Sequence, residues 1–375
     1  MSEATVKSLP PRSTVAESDT WDLSSLYAHH DGWETDYALA EEQLEKYSAF
    51  QGRLAENAET LAELLAFDSE IERLLEQLGY YAFLRLTEDQ TNSESQALEA
   101  RMQNLGARAA QAASWIRPEL LAIDSDTIDS FRQAECLQHY QLQLERVLRY
   151  RPHTLGAKEE ELLAMQAEMA QSASKTFRQL HDADLKFGEV KNEHGELVEL
   201  GNATFSQFLI SPNRDVRKTA FNQYYSQFEA HENTLAATLS GSIQKDVYYA
   251  RARGYDNALT GALFPDNVPQ SVYDSLIESV RNNFDALYRY YELRRNLMGL
   301  DEIHHYDTYV PIISDLQVNR NWDEATDLVI ASLQPLGSNY CEVLEAGLRG
   351  RWCDRYPNAG KQSGAFSAGS YVGDP

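Results

Sequence analysis

The sequence has few cysteines and no long apolar run. Its 375 residues include only three cysteines, Cys136, Cys341 and Cys353. An odd number of cysteines with no CxxC pair argues against a disulfide framework and favours a reducing compartment. No stretch approaches the ~18 consecutive apolar residues of a membrane span, and the first residues lack the apolar core of a signal peptide. The sequence therefore predicts a cytoplasmic protein without a membrane partner.

Positive charge is also scarce. The chain has 33 lysines and arginines against 58 aspartates and glutamates, a formal net charge of −25. Such a surface repels phosphate backbones, so we expect no nucleic-acid partner. An acidic surface that attracts cationic peptides is the alternative, but solvated helix faces explain the charge more simply.

A zinc-peptidase motif is missing as well. In zincins two histidines four residues apart on one helix bind the ion, and a glutamate between them acts as the base. No two of the nine histidines are four residues apart. His231-Glu232 begins such a motif, but Leu235 occupies the position of the second ligand. His304 and His305 are adjacent, so their side chains point different ways, and we interpret them as surface or capping residues.

What the sequence does contain is helical periodicity. From about residue 34, apolar residues recur three and four positions apart, which is typical of amphipathic helices. Short alternating runs at 184–190 and 196–200 flank a glycine-containing loop and predict one β-hairpin. We expect a predominantly α-helical protein with four segments: a mobile tail at 1–20, an N-terminal helical domain at 21–155, a helix and hairpin connector at 156–205, and a last domain at 206–375.

The segment 351–375 differs from the helices before it. It contains four of the 19 glycines, at positions 360, 364, 369 and 373. Glycine is favoured where the backbone turns through positive φ or where another group approaches it closely. The residues alone indicate an approach to a ligand site. No phosphate-loop or GxSxG spacing accompanies it, so we assign no catalytic residue.

Several local patterns, in their order along the chain, resemble the oligoendopeptidase F group of the M3 zinc metallopeptidases. The patterns are WDLSSLY from Trp21, SPNRDVRK from Ser211, HYDTYVP from His305, LQPLG from Leu333, RWCD from Arg351 and GKQSGAFS from Gly360. The resemblance covers essentially the whole chain, and the last two patterns are the most specific.

The resemblance implies a multi-helix zincin-type fold, with a deep channel closed around an HExxH helix. It also implies hydrolysis of short peptides by a zinc-activated water. In that family the Gly-rich block runs as a hairpin and edge strand into the HExxH helix, so residues 206–375 are expected to be an incomplete M3-like catalytic domain. The one substrate-binding feature that transfers is a strand with Gly360, Ser363, Gly364, Ala365 and Phe366.

Two functional hypotheses follow. In the first, the chain is the N-terminal portion of a zinc metalloendopeptidase, truncated before HExxH. It then binds no zinc and is inactive, unless a complementing chain supplies the motif. In the second, it is a non-catalytic helical protein that binds short peptides or other partners. A helical scaffold unrelated to peptidases is a third possibility, which requires the resemblance near the end of the chain to be chance.

Overall fold

The computed structural model describes residues 9–202, 204–313, 319–362 and 364–371. It is 68% helix and 2% strand, which confirms the predicted fold class. Contacts divide the chain into two compact units, unit 1 (Met1–Arg149 with Asn319–Pro375) and unit 2 (Tyr150–Val318). The four-segment domain division remains a prediction. Within the described ranges, no helix is both long and apolar enough to cross a bilayer.

Helices dominate the regular elements along the chain. The α-helices are α1 (His30–Leu44), α2 (Ala58–Glu88), α3 (Ser93–Ala113), α4 (Ile116–Ala122), α5 (Ser125–Phe131), α6 (Gln141–Leu148), α7 (Ala157–Met165), α8 (Ala167–Ala170), α9 (Ser172–Gln179), α10 (Phe205–Leu209), α11 (Arg214–Ala230), α12 (Glu232–Ala252), α13 (Ala258–Leu263), α14 (Gln270–Asn282), α15 (Phe284–Leu297), α16 (Trp322–Ser332) and α17 (Ser338–Arg349). The strands are β1 (Glu189–Lys191) and β2 (Leu197–Glu199). Short helical turns occupy Arg12–Thr14, Glu17–Asp19, Leu23–Ser25, Glu45–Ala49, Glu135–Tyr140, Arg151–His153, Leu180–Asp184, His305–Asp307 and Gln334–Leu336.

Helix α2 is the centre of unit 1. Asn57 caps it, because its side chain accepts a hydrogen bond from the Thr60 N–H at 2.8 Å. The helix has 31 residues and packs against both α1 and α3. Trp33 of α1 is fully buried and donates from Nε1 to the Leu78 carbonyl oxygen at 3.0 Å. The shared apolar core, in which each leucine contributes about 1.5–3 kcal/mol, includes Leu61, Leu64, Leu78, Leu98 and Leu105.

The N-terminal segment is tied to residues 351–361 by a buried carboxylate. Arg12 donates to both oxygens of Asp354, at 2.8 and 2.5 Å, and Lys361 pairs with the same group. Burial raises the pKa of Asp354, but hydrogen bonds from the two cations outweigh it and hold that pKa below its ordinary value. We call Arg12, Asp354 and Lys361 the clasp. Arg12, which belongs to the segment 1–20 predicted to be a mobile tail, thus makes specific contacts with Asp354.

The hairpin of unit 2 packs on α11. Strands β1 and β2 pair antiparallel, with Glu189 opposite Glu199 and Lys191 opposite Leu197, and this confirms the predicted β-hairpin. Phe187 leads into β1, and its ring stacks 4.4 Å from that of Tyr224 on α11. The hairpin therefore completes an apolar cluster with α11.

A second feature of unit 2 is a buried carboxylate held by arginines. Asp307 is fully buried and accepts hydrogen bonds from Arg217 at 2.8 Å and Arg214 at 2.9 Å, both on α11. Arg294 of α15 donates to the Asp307 and Val310 carbonyl oxygens, at 3.0 and 2.6 Å. Burial raises the pKa of Asp307. Hydrogen bonds from Arg214 and Arg217 lower this pKa, and their effect is larger, so the pKa lies below its ordinary value. This network joins α11, α15 and the turn His305–Asp307.

Replacing Asp307 tests this network. Asp307→Asn leaves Arg217, which is 2% exposed, without a counter-charge, and breaking such a buried pair costs about 3–5 kcal/mol. We expect faster amide hydrogen exchange in α11, measured by mass spectrometry. Asp301→Asn, at an exposed position, is the matched control, and equal exchange rates in the two variants would contradict the proposed role.

The same variant tests how the stability of α11 depends on pH. A carboxyl whose folded pKa is lowered stabilises the fold above its unfolded pKa of ~3.9, and this contribution is lost as the pH falls through the folded value. We therefore expect α11 to lose protection below about pH 4, and to lose less of it in Asp307→Asn.

Candidate functional site

The Gly-rich segment begins at a close approach to the C-terminal end of α2. Gly360 has φ +78°, and a Cβ atom on it would overlap Oδ1 of Asp89. Its carbonyl oxygen accepts a hydrogen bond from the Gln90 N–H at 2.8 Å. Both the left-handed backbone and the lack of space require glycine. The group that approaches Gly360 belongs to unit 1 itself.

The residues around Gly360 satisfy the end of α2. The Gln362 N–H donates to the Thr87 carbonyl oxygen at 3.0 Å. Asn358, which is 2% exposed, donates from Nδ2 to the Glu88 carbonyl oxygen at 3.0 Å. The last carbonyl groups of a helix have no partner within the helix. A segment distant in sequence therefore caps α2.

The segment then follows α2 towards its start. The ring of Phe366 lies 5.4 Å from that of Phe83 on α2 and 6.2 Å from that of Trp21. Farther on, the Tyr371 N–H donates to Oε1 of Glu76 at 3.0 Å. As the residue number of the segment rises from 362 to 371, the residue that it contacts on α2 falls from Thr87 to Glu76. This part of the chain therefore runs antiparallel to α2.

The predicted hairpin or edge strand is not present in the described residues 351–362 and 364–371. A strand needs a second strand with free N–H and C=O groups, whereas α2 uses these groups internally except at its ends. Gly364, Ala365 and nearly half of Phe366 are exposed, while Gly360 is held against α2. Ser363 lies outside the described residues. The substrate-binding role of these residues stays a prediction.

The adjacent histidines line a shallow surface depression of about 500 Å³, together with Tyr291 and Tyr309. His304 occupies the N-cap position of the turn His305–Asp307, and its backbone N–H donates to Oδ2 of Asp307 at 3.0 Å. This position agrees with the interpretation of His304 as a capping residue. The patterns from Ser211 and from His305 lie far apart in the sequence, and nothing in it indicates that Arg214 and Arg217 bind Asp307.

The described residues do not fit a catalytic zinc ion. Within the ranges that the structure describes, no group of three or more histidine, cysteine, aspartate or glutamate side chains could hold a metal. His231 lies at the junction of α11 and α12, and its Nδ1 contacts the Gln227 carbonyl oxygen at 2.7 Å. We therefore derive no chemical step through a metal from these residues.

Solved structures with similar folds define the class of protein. A putative peptidase from Chlamydophila abortus matches with a TM-score of 0.86 at 32% identity, over 97% of this chain and 61% of that one. Oligoendopeptidase-F from Enterococcus faecium matches with a TM-score of 0.62 at 32% identity, over 85% of this chain and 60% of that one. The helical architecture therefore resembles that of these two proteins over the part that they share.

Sequence comparisons assign the family. The oligopeptidase F family model matches residues 119–187, and the peptidase family M3 model matches residues 207–374. Oligopeptidase PepF of Bacillus subtilis is 37% identical over 374 residues, which is 100% of this chain and 56% of PepF. Group B oligopeptidase PepB of Streptococcus agalactiae is 34% identical, over 96% of this chain and 60% of PepB.

The chain belongs to the oligoendopeptidase F group of peptidase family M3, which confirms the resemblance seen in its sequence patterns. It spans about three fifths of the length of the curated relatives it matches.

Two glycines with similar backbones test the contact with α2. Gly360 (φ +78°) would clash with Asp89, whose Oδ1 already accepts two hydrogen bonds from Thr91 and cannot move freely. Gly52 (φ +81°) has nothing within 4 Å. We expect Gly360→Ala to lower the free energy of unfolding of unit 1 by about 2–3 kcal/mol, and Gly52→Ala by about 1 kcal/mol.

Tryptophan fluorescence during urea unfolding measures this difference, because all five tryptophans lie in unit 1. Equal losses in the two variants would show that the close approach of Gly360 to Asp89 contributes nothing.

Proposed function

We propose that this chain forms the N-terminal part of a zinc metallopeptidase of the oligoendopeptidase F type, which hydrolyses short peptides. The observation that carries the proposal is the 37% identity to the oligopeptidase PepF, which extends over 100% of this chain. The match of the M3 family model to residues 207–374 supports it. No observation favours a non-catalytic peptide-binding protein over this function.

The zinc ligands and the general base would come from polypeptide that corresponds to the remainder of PepF. No two histidines of this sequence have the spacing of an HExxH motif, so we propose that this chain alone binds no catalytic zinc and hydrolyses no peptide. Zinc, when bound, would polarise a water for attack on the peptide carbonyl. The helices of this chain would hold the peptide.

An exposed apolar face in unit 2 supports a complementing polypeptide. Val272, Leu276 and Val280 recur four residues apart on α14 and are 55%, 63% and 51% exposed. None of the residues of α14 is buried. Soluble monomers rarely leave large contiguous apolar patches uncovered. We propose that the polypeptide corresponding to the rest of PepF packs against this face of α14 and covers its apolar side chains.

The exposed backbone of the Gly-rich segment is the proposed contact for the substrate. A Cβ atom placed on Gly364 (φ +96°) would meet nothing within 4 Å, and its neighbour Ala365 is exposed. An extended peptide binds readily to exposed backbone N–H and C=O groups, while side-chain pockets add specificity. The ring of Phe366 would supply one apolar contact of this kind.

A chimera tests the proposed function directly. This chain replaces the matching part of PepF, and hydrolysis of a short quenched fluorescent peptide is measured. We expect the chimera to hydrolyse the peptide, to lose activity with a chelator and to regain it with zinc, because the remainder of PepF supplies the metal site. The 375-residue chain alone should be inactive under the same conditions. Hydrolysis by the chain alone, or an inactive folded chimera, would contradict the proposal.

A matched pair of variants tests the face of α14 within the chimera. Leu276→Asp places a charge on the apolar face, and Ser275→Asp places the same charge about 100° round the helix. The first should abolish most activity and lower the melting temperature, whereas the second should change both little. Equal effects would exclude this face as the covered surface.

A further inference from the structure

We propose that a cleft in unit 1 binds the C-terminal carboxylate of a short peptide. The cleft has a volume of about 620 Å³ and lies between the N-terminal segment, α2 and the start of α3. None of the described residues 360–371 lines it. Arg351 does line it, as do Asp89 and Trp21, which contact Gly360 and Phe366, so the cleft adjoins the Gly-rich segment.

Two residues that are almost fully buried bear hydroxyl groups and line the cleft. Tyr81 is 8% exposed and Ser95 is 3% exposed. Neither hydroxyl makes a hydrogen bond to any residue that the structure describes. Tyr27, in the same cleft, differs because it donates to Oδ2 of Asp36 at 3.0 Å. The hydroxyl groups of Tyr81 and Ser95 can therefore both donate a hydrogen bond to a ligand in the cleft.

Arg85 provides a positive charge with free donors. It lies one turn after Tyr81 on α2, and its Nη1 donates to Oε2 of Glu88 at 3.2 Å. Its Nε and Nη2 have no hydrogen-bond partner among the described residues, and its side chain is 41% exposed. The other two arginines of the cleft, Arg12 and Arg351, are engaged in several hydrogen bonds each. A guanidinium with free N–H groups binds a carboxylate strongly.

The start of α3 adds further donors. Asn92 caps this helix, with Oδ1 accepting hydrogen bonds from the N–H groups of Glu94 at 2.9 Å and Ser95 at 3.0 Å. The side-chain Nδ2 of Asn92 donates to no residue in the described ranges, whereas its backbone N–H donates to the Asp89 carbonyl oxygen at 3.1 Å. The dipole of α3 also favours an anion near its N-terminus, although Asn92 already satisfies the N–H groups of Glu94 and Ser95. Arg85, Tyr81, Ser95 and Asn92 thus all offer donors to one cleft.

The charges of the cleft favour one carboxylate over a polyanion. Three arginines and three acidic residues line it, so its formal charge is 3 − 3 = 0, and the acidic residues are Asp22, Glu88 and Asp89. These acidic groups would repel a nucleic acid or a polyphosphate. A peptide has one terminal carboxylate on an otherwise neutral backbone, and the rings of Trp21 and Tyr27 offer an apolar wall to its side chains. The choice of a peptide as the source of the carboxylate rests on the proposed function, whereas carboxylate binding does not.

Calorimetric titration of the 375-residue chain with tetra-alanine tests the proposal. We expect the free acid to bind, and the C-terminal amide to bind at least about tenfold more weakly, since the charge-assisted hydrogen bonds are lost. Acetylation of the peptide N-terminus should change little. Arg85→Gln should weaken binding of the free acid about tenfold. Inorganic phosphate is titrated in parallel, and tighter binding of phosphate than of the peptide would overturn the assignment to a peptide.

Arg53→Gln is the matched control. Arg53 forms the same kind of ion pair, with Glu56 three residues later, on the surface of unit 1, and it does not line the cleft. Equal weakening in the two variants, equal binding of acid and amide, or no binding of the acid would each overturn the proposal. Urea unfolding monitored by tryptophan fluorescence verifies that both variants stay folded. No hydrolysis is measured, so a failure here is distinct from a failure of the proposed peptidase function.

Discussion

The carboxylate of Asp354 is the constraint on which the arrangement of unit 1 depends. It is almost fully buried and is compensated by Arg12, 342 residues away in sequence, and by Lys361. A buried charge is tolerated only when cations and hydrogen bonds compensate it. The clasp thereby fixes residues 351–361 against the N-terminal segment. Gly360 then reaches the end of α2, and Phe366 reaches Phe83.

The M3 family match extends over both contact-defined units. The family model matches residues 207–374. Residues 207–318 of this range belong to unit 2, and residues 319–374 belong to unit 1. In each unit one of the family's patterns contains a buried carboxylate, Asp307 in unit 2 and Asp354 in unit 1. Each carboxylate is held by at least one arginine from a distant part of the sequence, Arg217 for Asp307 and Arg12 for Asp354. Two of the family's sequence patterns thus contain the carboxylate of a buried ion network.

Much of the fold could be predicted from the sequence, because helical periodicity and turn residues are local signals. The helical class and the hairpin at 189–199 are confirmed. Helical periodicity continues without a break from Ser211 to about Arg253, yet the structure has two helices there, α11 and α12, which meet at His231. Gly241 lies within α12, and a Cβ atom placed on it would be 3.2 Å from the Cβ of Ala173 on α9. Close packing of two helices therefore explains this glycine.

The contacts of the candidate site could not be predicted in the same way. The glycines at 360 and 364 indicate unusual backbone, and both do have positive φ. The contacts of the segment that contains these glycines depend on interactions between residues far apart in the sequence. Arg12 and Asp354, for example, are 342 residues apart, and helical periodicity carries no information on such a pair. The free hydroxyl groups of Tyr81 and Ser95 likewise follow from how α2, α3 and the N-terminal segment meet. Local patterns identify such residues only as members of helices.

A double-mutant cycle across the clasp tests the central claim most directly, namely that residues 351–361 are held on unit 1 by Asp354. The free energy of unfolding is measured by tryptophan fluorescence for Arg12→Ala, Asp354→Ala and the double variant. The structure predicts a coupling energy of at least about 1.5 kcal/mol, since the pair is bidentate and mostly buried. A coupling energy below about 0.3 kcal/mol would contradict it, because the two side chains would then not interact in the folded protein.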